Sequence, residues 1–224
     1  SIDNHLFEYN SQGRFINQHP GSLLLEERYL IDEWSVTEDT LIFGHLPNED
    51  GGADYKAVLM NMEGEILKKY RNNHVLESKG SRINPGATTI YSFNGYLHFK
   101  EQFSDSLYIL DDDRELKALY AFIMGDLKMP ASVRTNFSEY FRKMYDYIAV
   151  EDVFETRKHL FIKVNFGNRF PAKRIHPKQA GPGTGINNYY NTRYCLGIFN
   201  KTTTELVFSK PTNTDNPLFT SGMY

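Results

Sequence analysis

The stretch Tyr91-Ser92-Phe93-Asn94-Gly95-Tyr96-Leu97-His98-Phe99-Lys100 decides the fold. Apolar and polar residues alternate on both sides of Asn94-Gly95, and both of those turn residues tolerate the positive φ that a two-residue hairpin demands. The spacing predicts an antiparallel hairpin. Side chains alternate across a strand, so His98 faces away from Leu97 and Phe99.

The same grammar recurs outward from this hairpin. His5-Leu6-Phe7-Glu8-Tyr9 leads through Asn10-Ser11-Gln12-Gly13 into Arg14-Phe15-Ile16. Ala57 to Met62 turns at Glu63-Gly64 into Glu65-Ile66-Leu67, and Ser106 to Leu110 turns at Asp111 to Arg114 into Glu115 to Tyr120. Cys195 to Phe199 turns at Asn200 to Thr203 into Thr204 to Phe208. The first three turns lie about 50 residues apart and the last roughly 90 further on, and the shorter spacing suits a four-stranded propeller blade. Tyr29–Val36 with Thr40–Gly44, Thr88–Phe93 with Tyr96–Lys100, and Val150–Glu155 with His159–Val164 supply the inner strand pairs.

The expectation is an all-β chain, a partial ring of antiparallel four-stranded blades forming a single propeller domain over 1–224. A half-blade falls on 1–20 and blades on about 21–75, 80–127 and 148–210, with no fewer than about twelve strands in all. Two insertions lengthen the last interval. Pro130 to about Ala149 carries Phe137, Tyr140, Phe141, Met144, Tyr145 and Ile148 at helical spacing, so a helical insertion over about 130–147 is expected, an amphipathic helix near Ser132 to Tyr147. Phe166 to Asn191 is rich in Gly, Pro, Asn and basic residues and reads as a long loop. Loops of that length are usually functional or disordered rather than idle.

The chain resembles the TolB-like six-bladed β-propeller proteins of gut Bacteroidetes. The resemblance rests on Tyr91 through Glu101 followed by Asp105-Ser106-Leu107-Tyr108-Ile109-Leu110, on Leu116 through Tyr120 with Gly125 and Lys128 through Pro130, and on Phe7-Glu8-Tyr9 with Gly13-Arg14-Phe15-Ile16. It implies an exported protein, periplasmic or at the cell surface and often lipid-anchored, with no established activity and no catalytic motif to carry over. The chain departs from a full ring in being about a third shorter. Its opening, Ser1-Ile2-Asp3-Asn4-His5, shows no basic and apolar signal pattern. An open ring is expected to leave apolar faces beside residues 1–20 and after Lys210, and so to promote self-association.

Composition narrows the function classes. The 224 residues carry 25 Lys plus Arg against 28 Asp plus Glu, a net charge of −3 that argues against a nucleic-acid binder. No apolar run approaches the roughly 20 residues of a membrane helix. Aromatic residues reach 14%, with 15 Tyr and 16 Phe, which suits half-buried strands. The one cysteine, Cys195, excludes an internal disulfide and reads as a small buried filler within a strand.

The seven histidines include no pair at metal-ligand spacing. Glu49-Asp50-Gly51-Gly52-Ala53-Asp54 lacks the ligand spacing of a calcium loop, and Asp111-Asp112-Asp113 fits a turn better than a metal site. Gly181-Pro182-Gly183-Thr184-Gly185 lacks the following Lys-Ser or Lys-Thr of a phosphate loop, and no Gly-x-Ser-x-Gly elbow occurs. No metal and no cofactor are expected.

One local composition stands apart. Arg169, Lys173, Arg174, His176 and Lys178 precede Tyr189, Tyr190, Arg193 and Tyr194. Basic groups beside aromatic rings suit an acidic sugar or other anion, whereas the plainer reading is a solvated loop whose tyrosines cover the adjacent strands. The leading expectation is a non-enzymatic ligand-binding or protein-interaction module that takes its ligand at Arg169, Lys173, Arg174, His176, Tyr189 and Tyr190. The alternative is a carbohydrate-active lyase or hydrolase at the channel mouth, built from carboxylates such as Asp32, Glu33, Glu101 and Asp152. A third reading is a structural partner whose open ring another chain closes.

Overall fold

The computed structural model describes residues 6–19, 24–25, 29–31, 33–47, 53–73, 88–101, 104–134, 136–167, 193–209 and 212–213. The protein is all-β with little helix, and its chain divides into two compact units, Ser1–Ala121 and Phe122–Tyr224.

The first unit opens with the antiparallel hairpin β1 (Leu6–Tyr9) and β2 (Phe15–His19). The Phe15 ring meets Phe7 at a tilt and Tyr9 edge to face, and all three are about half exposed, as is Ile16. The short pair β3 (Leu24–Leu25) and β4 (Tyr29–Leu30) follows. Tyr29 and Leu30 therefore join a separate pair, and the expected strand Tyr29–Val36 narrows to β5 (Glu33–Val36). β5 begins an antiparallel sheet continued by β6 (Ile42–His45), β7 (Tyr55–Met60) and β8 (Ile66–Arg71). A second four-stranded antiparallel sheet runs in chain order through β9 (Thr89–Phe93), β10 (Tyr96–Lys100), β11 (Ser106–Leu110) and β12 (Leu116–Ala121).

The core of this unit lies between the two sheets. Phe43, Leu59 and Tyr70 from the first meet Leu97, Phe99 and Leu110 from the second, with the Phe43 and Phe99 rings 5.2 Å apart edge to face. The other face of β6 and β7 buries Ile42, Val58 and Met60 against Ile31 and Leu46. Gly44 lets Ile31 pack close, since a Cβ there would lie 2.6 Å from the tip of the Ile31 side chain. Burial on both faces suits the apolar runs Ile42-Phe43 of β6 and Ala57 to Met60 of β7.

The hairpin turns share one chemistry. Asn10, Asn61 and Asp111 each accept, through Oδ1, the amide of the residue four positions on, and Thr37 does the same through Oγ1. Asn200 accepts the amides of Thr202 and Thr203. The residue that closes each turn has positive φ: Gly13, Thr40, Gly64, Arg114 and Thr204. Asn94 (φ 51°) and Gly95 (φ 84°) form the two-residue turn expected of them, flanked by the pair Phe93 and Tyr96.

The second unit begins with helical segments. The single helix expected near Ser132 to Tyr147 is broken into α1 (Ala131–Arg134), α2 (Phe137–Lys143) and a 3₁₀ turn over Met144–Asp146. Asn136 explains the break: its Oδ1 accepts the Glu139 amide and caps α2 at its N-terminus. Glu139 then pairs with Arg142 and Lys143, which hold its carboxyl at about 2.

An antiparallel sheet follows: β13 (Ala149–Glu155), β14 (His159–Asn165), β15 (Arg193–Asn200) and β16 (Leu206–Phe208), with β17 (Thr212–Asn213) also pairing β15. Val150, Val153, Leu160, Ile162, Val164 and Cys195 fill its buried face. Burial pushes the Cys195 thiol pKa up, as befits a buried filler. The opposite face carries a cross-strand row of Phe154, Phe161, Ile198 and Val207 at one end and polar groups at the other.

Candidate functional site

The residues expected to hold a ligand, Arg169, Lys173, Arg174, His176, Tyr189 and Tyr190, lie outside the described residues. Their roots do not. Asn165 ends β14 and pairs with Tyr194 near the start of β15, so the whole insertion is the connection of one antiparallel pair. Ala149, at the start of β13, pairs with Asn165 on its other side.

On β13, beside Asn165, stands Glu151. The register shifts between Val150 and Asp152, which makes Glu151 the extra residue of a β-bulge. Its Oε1 accepts the Asn165 Nδ2 amide at 2.8 Å, and its Oε2 lies 3.5 Å from Lys163 Nζ. Tyr194 hydrogen-bonds to the same carboxylate, and the Lys163 ammonium sits 4.6 Å from the centre of the Tyr194 ring. Burial, with Glu151 and Tyr145 adding to it, pushes the Tyr194 phenol up to about 12. Burial also raises Tyr140, helped by Tyr145 and Glu151.

Asn165 has a second task. Its Oδ1 accepts the Gly167 amide at 2.9 Å, which turns the chain into the insertion. Gly167 has φ +54°, and a Cβ there would lie 2.0 Å from the Tyr145 carbonyl oxygen and 2.7 Å from its carbon. Only glycine fits this close backbone approach. Chemically the cluster is a rigid base: it offers fixed donors and a balanced charge pair, with no nucleophile activated by a base.

Of the carboxylates considered for catalysis, Glu101 lies 3.1 Å from Lys56 Nζ, and Asp152 accepts the Val153 amide at 2.8 Å. Asp32 lies outside the described residues, as do Gly181 to Gly185 and residues 49–52 of the acidic loop. Asp111 acts in its turn, where Lys117 holds its carboxyl below the usual range. His98 is buried against Tyr91 and Phe93, on the side opposite Leu97 and Phe99. Among the described residues no group of three or more His, Cys, Asp or Glu side chains is placed to hold a metal ion. Among them, too, no helix is long and apolar enough to cross a membrane.

The sequence gives Glu151 and Asn165 no role of their own and Tyr145 only a place on a helical face. One signal was present: Val150-Glu151-Asp152-Val153 breaks strand alternation, since two core valines stand three apart with two acids between them. A bulge restores the faces.

Fold and site together define an all-β protein of consecutive antiparallel sheets, with one long insertion rooted on a polar base. The chain belongs to the family described as Domain of unknown function (DUF4934), whose model matches residues 1–222. No curated protein matches it. A crystal structure of a member of the DUF4221 family from Bacteroides vulgatus is similar in fold, with a TM-score of 0.52 and 13% sequence identity. The match covers 94% of this chain and 62% of that one, so the chain spans less than two thirds of its structural relative.

Proposed function

We propose that the protein is a non-enzymatic binding module on a propeller-type scaffold, taking an anionic ligand, an acidic glycan above all, on the insertion between Asn165 and Arg193. The observation that carries this reading is the base itself. An insertion holding Arg169, Lys173, Arg174, His176, Tyr189 and Tyr190 springs from a sheet end where Glu151, Asn165 and Tyr194 are bonded to one another. Loops on a rigid frame are where binding residues collect.

The propeller reading draws support from two four-stranded antiparallel sheets laid down in chain order, each with its first strand at one edge, and from the contact between those edge strands, β5 and β9. The sheets also share one core through Phe43 and Phe99, as neighbouring blades would. Export, as in the TolB-like proteins, completes the proposal, and fractionation of cells expressing the parent gene tests it.

Binding is tested on an array of acidic and neutral glycans. Replacing Arg169, Lys173 and Arg174 together with Ala should abolish acidic-glycan binding and leave the melting temperature within a few degrees of the parent's. Binding that survives the triple change removes the ligand from the insertion. Unfolding by the triple change assigns the insertion to packing.

A further inference from the structure

We propose that β16 is a docking edge for a second copy of this chain. Two β16 strands pair antiparallel across a two-fold axis at Val207 and join their sheets edge to edge. The surface is independent of the ligand proposed for the insertion.

The backbone of β16 has one side to spare. Val207 lies opposite Ile198, and on either side of it the Ser209 amide donates to the Leu196 carbonyl and the Asn200 amide to the Glu205 carbonyl. Glu205, Val207 and Ser209 therefore direct their backbone groups at β15, and alternation turns those of Leu206 and Phe208 outward. Among the described residues no strand pairs with that side.

The side chains are those of an interior strand. Val207 continues the row of Phe154, Phe161 and Ile198, while Leu206 and Phe208 stand opposite Phe199 and Gly197, on the face of buried Leu160 and Ile162. A run that is apolar on both faces normally has neighbours on both sides. Here all three residues are about half exposed. Edges that stay in water are commonly guarded by charge. β8 carries Lys68, Lys69 and Arg71 along its edge, and β12 carries Lys117. Leu206-Val207-Phe208 carries no charge.

A second copy is the occupant that matches this edge. With Val207 opposite the partner's Val207, Leu206 falls opposite the partner's Phe208, and the outward backbone groups of each such pair exchange both hydrogen bonds. The two valines form the closer, non-hydrogen-bonded pair, with Cα atoms about 4.5 Å apart. The apolar row runs on into its own copy. Glu205 meets the partner's Ser209, carboxylate against hydroxyl, so like charges stay apart. The same operation on β8 would set Lys68 against the partner's Lys69, which repels. A two-fold contact of this kind uses up the edge and closes on itself.

Sedimentation equilibrium of the whole chain tests the edge. The parent should dimerise with a Kd on the order of 10 μM, as suits a small interface. Val207→Lys and Val207→Glu each set like charges face to face at the axis and should weaken the dimer about a hundredfold. Val207 is exposed in the single chain, so both variants should melt as the parent does at concentrations where it is monomeric. An equimolar mixture of the two variants should form a heterodimer within about tenfold of the parent's affinity, because opposite charges then meet at the axis. A parent that stays monomeric near millimolar concentration would overturn the proposal. So would undiminished dimerisation of either variant alone, or a mixture that remains monomeric.

Discussion

Lys56 meets Glu101 at 3.1 Å in the first unit, and Lys163 meets Glu151 at 3.5 Å in the second. Both pairs involve a β-bulge: Lys56 is the extra residue between Tyr55 and Ala57, as Glu151 is between Val150 and Asp152. Both lysines lie against a tyrosine ring, Tyr108 at 4.3 Å and Tyr194 at 4.6 Å. Their surroundings then part company. Lys56 is buried between the two sheets, also within reach of the Phe99 ring, and neighbouring Lys100 is fully buried with its ammonium on the carbonyls of Glu101 and Ser104. Lys163 keeps 28% of its side chain exposed and stands where the chain leaves the sheet. The same pair of groups closes a core in one unit and founds a loop in the other.

The largest effect expected from that contrast is in stability. Glu101→Ala strands a buried lysine and should cost about 3–5 kcal/mol. Glu151→Ala leaves a lysine that keeps 28% of its side chain exposed, and should cost about 1–2 kcal/mol. Urea unfolding of the two variants measures both, and equal losses would break the comparison.

A second expectation concerns alkaline pH. The Tyr194 phenol is raised in the folded state to about 12 from an ordinary value near 10, so folding favours its neutral form. Its contribution is fully present below pH 10 and is lost as pH rises through about 12. Urea midpoints taken from pH 9 upward should fall, and in Tyr194→Phe they should fall less. An unchanged slope would remove Tyr194 from the base as described.

How much of this was written in the sequence depends on the range of the interaction. Hairpins were legible because an Asn or Asp at the start of a turn, with a Gly at the end of some of them, acts within a few residues. The Asn94-Gly95 turn, and the turns at Gly13, Gly64, Asp111 and Asn200, stand where the spacing put them. The helix was legible in place but not in continuity, because Asn136, inside the expected span Ser132 to Tyr147, serves as a cap. Lys56 and Glu151 were not legible as partners of Glu101 and Lys163. A bulge changes which face a side chain takes, and each partner lies on another strand.

The smallest expected effect sharpens the turn account. Thr204 closes its turn at φ 61° with a β-branched side chain, and Thr204→Gly should stabilise the protein by about 0.5–1 kcal/mol. Thermal melts with and without the change measure it.

The most direct test of the central claim sets the two carboxylates side by side in one titration. Glu151→Ala and Glu101→Ala are each titrated with polygalacturonate at a temperature where both are folded. Glu151→Ala should lose affinity about tenfold with its melting temperature lowered only slightly, because the floor of the insertion is disturbed. Glu101→Ala should melt well below the parent and bind as the parent does. Undiminished binding by Glu151→Ala, with binding lost in Glu101→Ala, would contradict the account.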